Sequence, residues 1–188
     1  MSATEPGAEP EAEPGPGPVR RAGPEDAEQI AVVHVRSWQG AYRGLLPQDY
    51  LDGLDPADRV ERWRRILERG DWPAAGTIVA VRDGRVSGFA AFGPTRDADA
   101  GQVRVGEVNA IYVLPEAWGT GLGRALMTAA LSRLAAAGGQ EATLWVLEAN
   151  ARARRFYACA GWAADGCVKH QDVAATPVSE LRYRRPLP

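Results

Sequence analysis

Apolar side chains return at Leu122, Leu126, Ala130 and Leu134, with Met127 and Leu131 beside them, an interval that predicts a helix from Leu122 to Ala137 packed on a sheet. β-Branched residues crowd Val103 to Val113, which predicts a strand, and Pro115 ends it by removing a backbone donor. Upstream, Val19 to Ala22 suits a first strand, and Pro24-Glu25-Asp26 opens a helix that runs to about Ala41, with acids near the positive end of its dipole. Pro47 to Leu54 and Pro56 to Arg69 read as two shorter helices, the second turning Trp63, Ile66 and Leu67 inward. Thr77 to Val81 and Val86 to Phe92 flank Arg82-Asp83-Gly84-Arg85, a hairpin signal because Asp-Gly tolerates the positive φ angles of a tight turn. Downstream come a strand at Thr143 to Leu147 and a helix from Asn150 to Ala160, with asparagine as N-cap and Gly161 just past the end. Two last strands are expected at Trp162 to Val168 and Val178 to Arg185. The alternation predicts a mixed α/β sheet with helices on both faces.

Between the strand ending at Val113 and the helix from Leu122 lies Trp118-Gly119-Thr120-Gly121-Leu122-Gly123-Arg124. The first N–H groups of a helix lack internal partners and carry the positive end of the macrodipole, so this junction suits an anion, and glycines let a phosphate approach closely. A mononucleotide loop would need Gly-Lys-Ser/Thr at its end, whereas Gly123 is followed by Arg124-Ala125. A dinucleotide fingerprint would need a different glycine spacing and an acidic residue on the next strand, where only Glu148 follows. A plain strand-to-helix turn is the bland alternative, and it needs fewer glycines than the run contains.

Composition narrows the field. The 188 residues fit one domain with a sizeable core, and a hydrophobic share of 45% is ordinary for a soluble globular chain. Residues 1–17 hold Pro6, Pro10, Pro14 and Pro16 with Glu5, Glu9, Glu11 and Glu13, and are expected to form a disordered acidic tail. They lack the pattern of a secretion signal and no later stretch matches a membrane span, so a cytoplasmic location without membrane partners is expected. Formal charge is −2, and +2 once the four glutamates of the tail are set aside, which gives no reason to invoke nucleic acid. The arginines at 62, 64 and 65, at 152, 154 and 155, and at 182, 184 and 185 read as solvated faces, although the second group could meet a ligand's phosphates. Cys159 and Cys167 lack metal-ligand spacing, His34 and His170 stand apart, and no metal site is expected.

Glu107, then Ile111-Tyr112-Val113-Leu114-Pro115, then Gly119-Thr120-Gly121-Leu122-Gly123-Arg124-Ala125-Leu126-Met127, closely resembles the acyl-CoA-binding segment of the GNAT superfamily of N-acetyltransferases. Leu144-Trp145-Val146-Leu147, Asn150, Arg154-Arg155-Phe156-Tyr157 and Gly161-Trp162 are similar to that family's second conserved block. The likeness covers roughly Val19 to Leu187, with its specific motifs between Glu107 and Trp162. It implies a single domain over residues 18–188. Its fold would be a mostly antiparallel sheet of six to seven strands, with a parallel, splayed pair at the cofactor cleft. Acetyl-CoA would be the cosubstrate, with no metal. The implied binding residues are Ile111, Tyr112 and Val113 at the strand end, Trp118 to Arg124 in the loop, and Asn150 with Arg154 on the following helix. Trp118 stands where the family's loop usually carries glutamine or arginine, which removes one side-chain contact to the phosphates.

Acetyl transfer from a thioester needs a neutral amine, a donor to the acetyl oxygen and a proton for the leaving thiolate. The resemblance implies the Val113 amide or its neighbour as that donor and Tyr157, two turns beyond Asn150, as the acid; packing beside Phe156 is the structural alternative. Glu107 shares strand parity with Val105, Ile111 and Val113, and a carboxylate aimed with apolar side chains is either the base of the reaction or paired with an arginine such as Arg104, unless a bulge breaks the parity. Trp38 and Tyr42, four apart on one helical face, suit either an acceptor wall or a core stripe, and the Val168 to Pro177 loop is a further candidate on the acceptor side. The implied function is acetyl transfer to a primary amine of a small molecule or peptide. The alternative is a CoA-binding regulatory module without turnover. A homodimer through the last strand, Val178 to Arg185, is compatible with its pattern, as is a plain sheet edge.

Overall fold

The computed structural model describes residues 19–98 and 104–188, so the acidic tail expected over 1–17 lies outside the described residues. Among these, seven strands form one sheet: β1 Val19–Arg21, β2 Gly76–Arg82, β3 Arg85–Pro94, β4 Val105–Val113, β5 Glu141–Leu147, β6 Ala163–Val173 and β7 Thr176–Pro186. Their order is β1-β2-β3-β4-β5-β7-β6, and every neighbouring pair is antiparallel except β4 with β5. The helices are α1 Ala27–Ala41, α2 Gln48–Asp52, α3 Ala57–Arg69, α4 Leu122–Ala136 and α5 Ala151–Cys159. The mixed α/β class expected from the pattern is the observed one.

Local chemistry explains the frame. Asp83 and Gly84 take φ of 51° and 72°, so the β2–β3 hairpin closes through the positive-φ turn that its sequence announces. One face of the sheet carries α4, whose Leu122, Leu126, Met127, Ala130, Leu131 and Leu134 are all buried. Gly106 on β4 permits this approach, because a Cβ there would lie 2.7 Å from the Leu134 side chain. The other face carries α1 and α3, where Ile30, Val33, Trp63 and Leu67 pack with Val79 and Phe89.

Four expectations need correction. Ile66 is 39% exposed, because the buried stripe of α3 runs through Trp63 and Leu67 only. The segment read as a loop from Val168 to Pro177 is instead the end of β6, a two-residue turn at Ala174 and Ala175, and the start of β7. The last strand is interior, between β5 and β6, so it offers no edge for strand-to-strand pairing. Finally, the parity expected along β4 is broken. Ala91 faces Ala110 while Phe92 faces Val108, so Asn109 is an unpaired bulge residue. Val108, Ile111 and Val113 pack toward α4, whereas Ala110 and Tyr112 pack toward α1, and Glu107 therefore shares the face of Tyr112 rather than that of Ile111.

Candidate active site

The bulge also opens the cleft. β4 and β5 pair only through Val105 with Glu141, Gly106 with Ala142 and Glu107 with Thr143, and beyond these they part into a V. A cleft of about 840 Å³ occupies that V and is bordered by α1, β4, the glycine loop, α5 and the β6–β7 hairpin. Leu114 donates its N–H to Ser87 O on β3, and successive amides alternate sides, so the N–H and C=O of Val113 point the other way, into the V.

The glycine loop is built to leave amides free. A 3₁₀ turn over Pro115–Ala117 is tied to the loop when Thr120 Oγ1 donates to Ala117 O at 2.7 Å. Gly119 and Gly121 take φ of 83° and 88°, values that side-chain-bearing residues rarely adopt. The helical ladder of α4 begins when Ala125 N–H donates to Gly121 O, so the amides of Leu122, Gly123 and Arg124 precede it. A Cβ on Gly123 would meet Phe156 at an ordinary 3.5 Å, so the packing of the fold does not itself demand glycine there. These features fit a phosphate group.

Of the residues expected to hold the cofactor, Ile111, Tyr112, Val113, Trp118, Gly119, Gly121, Gly123, Arg124 and Asn150 border the cleft. Thr120 and Leu122 do not line it: the Thr120 hydroxyl braces the loop, and the Leu122 side chain is buried against the sheet, leaving its amide as its contribution. Arg154 points away, donating to Glu148 O at 3.0 Å and to the Tyr183 hydroxyl at 3.3 Å. Arg152 takes the place that was expected of it. Its guanidinium carbon stands 3.2 Å from the centroid of the Trp118 ring, while Trp118 Nε1 donates to Val113 O at 2.8 Å. Asn150 caps α5, its Oδ1 accepting from Ala153 N–H at 3.0 Å.

Tyr157 is buried at the floor of the cleft, and desolvation raises its pKa well above that of a free phenol, so the hydroxyl stays protonated. Glu107 is 2% exposed and is held by Arg96 rather than Arg104: the Arg96 backbone N–H donates at 3.0 Å, its Nε at 3.3 Å, and its Nη2 completes the ion pair. Arg104 instead reaches Ala137 O. Trp38 and Tyr42 both border the cleft, with ring centroids 4.9 Å apart, and approach the Tyr112 hydroxyl. Burial raises the Tyr42 and Tyr112 phenols in the same direction as Tyr157.

Sequence reasoning missed Lys169 and Glu180 in the cleft and Arg182 beside it. Lys169 lies 3.6 Å from the Trp145 ring centroid, and Glu180 is its cross-strand partner. Arg182, read as part of a solvated face, is 4% exposed and forms ion pairs with Asp97 at 3.1 Å and Asp165 at 2.7 Å. The signal was present in the alternation Glu180, Arg182, Arg184 against Leu181 and Tyr183, but an alternating charged face declares its ligand side only once the sheet order is known.

A splayed parallel pair with free amides at its mouth and a buried phenol on its floor is the architecture of an N-acyltransferase. The model of the Acetyltransferase (GNAT) family matches residues 38–162, and the chain belongs to that family of acetyl-CoA-dependent N-acetyltransferases. It is 37% identical over 132 residues to the uncharacterized N-acetyltransferase YuaI of Bacillus subtilis, covering 70% of this chain and 72% of that protein. It is 36% identical over 140 residues to an uncharacterized N-acetyltransferase of Archaeoglobus fulgidus, covering 74% and 88%. The fold is shared with the PaiA N-acetyltransferase of Thermoplasma acidophilum, a structure in complex with coenzyme A, at a TM-score of 0.72 and 19% identity over 90% of this chain and 98% of that one.

Proposed function

We propose that this protein moves an acetyl group from acetyl-CoA to a primary amine of a small molecule or peptide by direct attack within the V between β4 and β5. The observation that carries this reading is the run of free amides from Leu122 to Arg124 beside a cleft that also holds the Val113 amide and the Tyr157 hydroxyl. The loop amides and Arg152 hold the diphosphate, and an anion there satisfies both the orphan donors and the helix dipole. Val113 N–H donates to the acetyl oxygen, a contact that strengthens as negative charge develops there. Tyr157 donates to the departing sulfur; its raised pKa is matched by the thiolate, whose proton affinity the same desolvation raises. Trp38, Tyr42 and Tyr112 wall the acceptor side, which suits an amine with an apolar portion. Glu107, fully engaged by Arg96, anchors the segment after β3 over this wall and is a positioning residue.

Release of free thiol from acetyl-CoA, followed across a panel of small amines and peptides, tests the reading. Amine-dependent release that falls about 100-fold in Tyr157→Phe, with coenzyme A affinity kept, supports it. Coenzyme A binding without release for any acceptor overturns it in favour of a regulatory module.

A further inference from the structure

We propose that Glu180 is the base that removes the proton from the acceptor ammonium, so the acceptors of this enzyme are basic amines that arrive protonated. The inference rests on the transferase reading above. Residues paired across neighbouring strands share a sheet face, and Glu180 is paired with Leu147, the last residue of β5, and with Lys169 on β6. That register sets its carboxylate at the open end of the V, on the face of Trp145, Glu107 and Tyr112. Glu180 borders the cleft there and is half-buried.

The other carboxylates of this face are already committed. Glu107 is engaged by Arg96, and Asp97 by Arg182 and the Trp145 indole N–H at 3.2 Å. Glu180 meets Lys169 and Arg96 through charge alone, with no hydrogen-bonding side chain among the described residues. Burial raises its pKa above the ordinary carboxylate value, and those two cations oppose the rise. The groups that face it are Lys169 from β6, Arg96 and Asp97 from the segment after β3, Glu107 and Tyr112 from β4, Arg182 from β7 and Tyr42 at the end of α1. A carboxylate raised toward neutrality in a cleft is a better base than an exposed one.

The protons balance. The ammonium gives one proton to the Glu180 carboxylate, which passes it to solvent through the open cleft. The neutral nitrogen forms its bond to the acetyl carbon as the carbon–sulfur bond breaks. Tyr157 gives its proton to the sulfur, and the second proton lost by the nitrogen restores the phenol. Amide, thiol and one released proton are the products.

The test uses the full chain with the best amine from the acceptor panel. Glu180→Gln is expected to lower kcat/KM about 100-fold or more, to leave coenzyme A affinity within about twofold, and to move the acidic limb of the pH profile up to the pKa of the amine itself, because only the neutral amine then reacts. An acceptor that is neutral at pH 7, such as an aniline or an acyl hydrazide, should lose much less. Lys169→Gln leaves the carboxylate in place but removes a neighbouring positive charge, so the acidic limb should move to higher pH. Wild-type kcat/KM in Glu180→Gln, or an unmoved limb in Lys169→Gln, overturns the assignment of Glu180 alone. Coenzyme A binding by the wild type with no turnover of any amine overturns the transferase reading and this inference with it.

Discussion

Arg152 stands over Trp118, its guanidinium carbon 3.2 Å from the ring centroid, while the indole N–H of Trp118 is bonded to Val113 O. This stack joins α5 to the end of β4 across the mouth of the cleft. The loop position that carries tryptophan therefore gains a cation from the opposite wall. Burial against the ring lowers the Arg152 pKa, which still leaves it charged, and a desolvated guanidinium binds phosphate strongly. Arg152→Gln should weaken coenzyme A binding by roughly tenfold or more, the worth of a charge-assisted hydrogen bond. It should leave binding of pantetheine, which lacks the diphosphate, unchanged. Calorimetry with both ligands checks this, and equal losses would place Arg152 outside the phosphate site.

The two outer glycines of the loop should respond differently to a methyl group. A Cβ on Gly119 would project into open space, but the backbone there has a φ of 83°, so Gly119→Ala strains the chain by about 1–2 kcal/mol and should lower both Tm and coenzyme A affinity. Gly123 sits in the first turn of α4 with room for a Cβ at 3.5 Å from Phe156. Gly123→Ala should hold or raise Tm while weakening coenzyme A binding, because the methyl group enters the cleft. Thermal unfolding with and without coenzyme A separates the two effects.

Glu107 and Arg96 should behave as a unit. If their pairing positions the acceptor wall, Glu107→Gln and Arg96→Ala raise the KM for the amine by similar factors, and the double variant is no worse than either alone. The acidic limb of the pH profile should survive in Glu107→Gln. Its displacement there to the pKa of the amine would return the role of base to Glu107.

Much of this was legible from side-chain pattern alone. Helix α4 announced itself through Leu122, Leu126, Ala130 and Leu134 because one face meets a sheet, and the β2–β3 hairpin through Asp83-Gly84 because few residues accept positive φ. The glycine loop was legible for the same reason. What stayed hidden depends on contacts distant in sequence. The Asn109 bulge reverses the face of Glu107, and nothing within Val105–Val113 marks where the alternation breaks. Arg96 reaches Glu107 from eleven residues away, and β7 inserts between β5 and β6, a topology that brings Glu180 to the cleft. Arg152 and Arg154 differ only by helical phase, which the choice of N-cap fixes but composition does not.

His34 offers a test of the acceptor wall that is independent of turnover. Its ring stacks on Tyr112 with centroids 5.2 Å apart, and its Nδ1 accepts from Trp63 Nε1 at 3.2 Å, so the neutral ring carries its proton on Nε2. Desolvation, with the charges of Arg59 and Arg62 adding to it, lowers its pKa to about 4. An unfolded histidine titrates near 6.5. Between these values the unfolded chain binds a proton that the folded chain refuses, so stability is full above pH 6.5 and falls as the pH drops toward 4. At about 1.4 kcal/mol per pKa unit, the loss by pH 4 amounts to roughly 2–3 kcal/mol. His34→Gln should abolish this part of the acid-induced fall in Tm. It should also preserve coenzyme A binding, since His34 packs behind Tyr112 and not against the glycine loop. Denaturant unfolding at pH 7.5, 6 and 4.5, compared between the wild type and His34→Gln, measures the difference directly; parallel losses in the two proteins would show that His34 titrates like an exposed histidine.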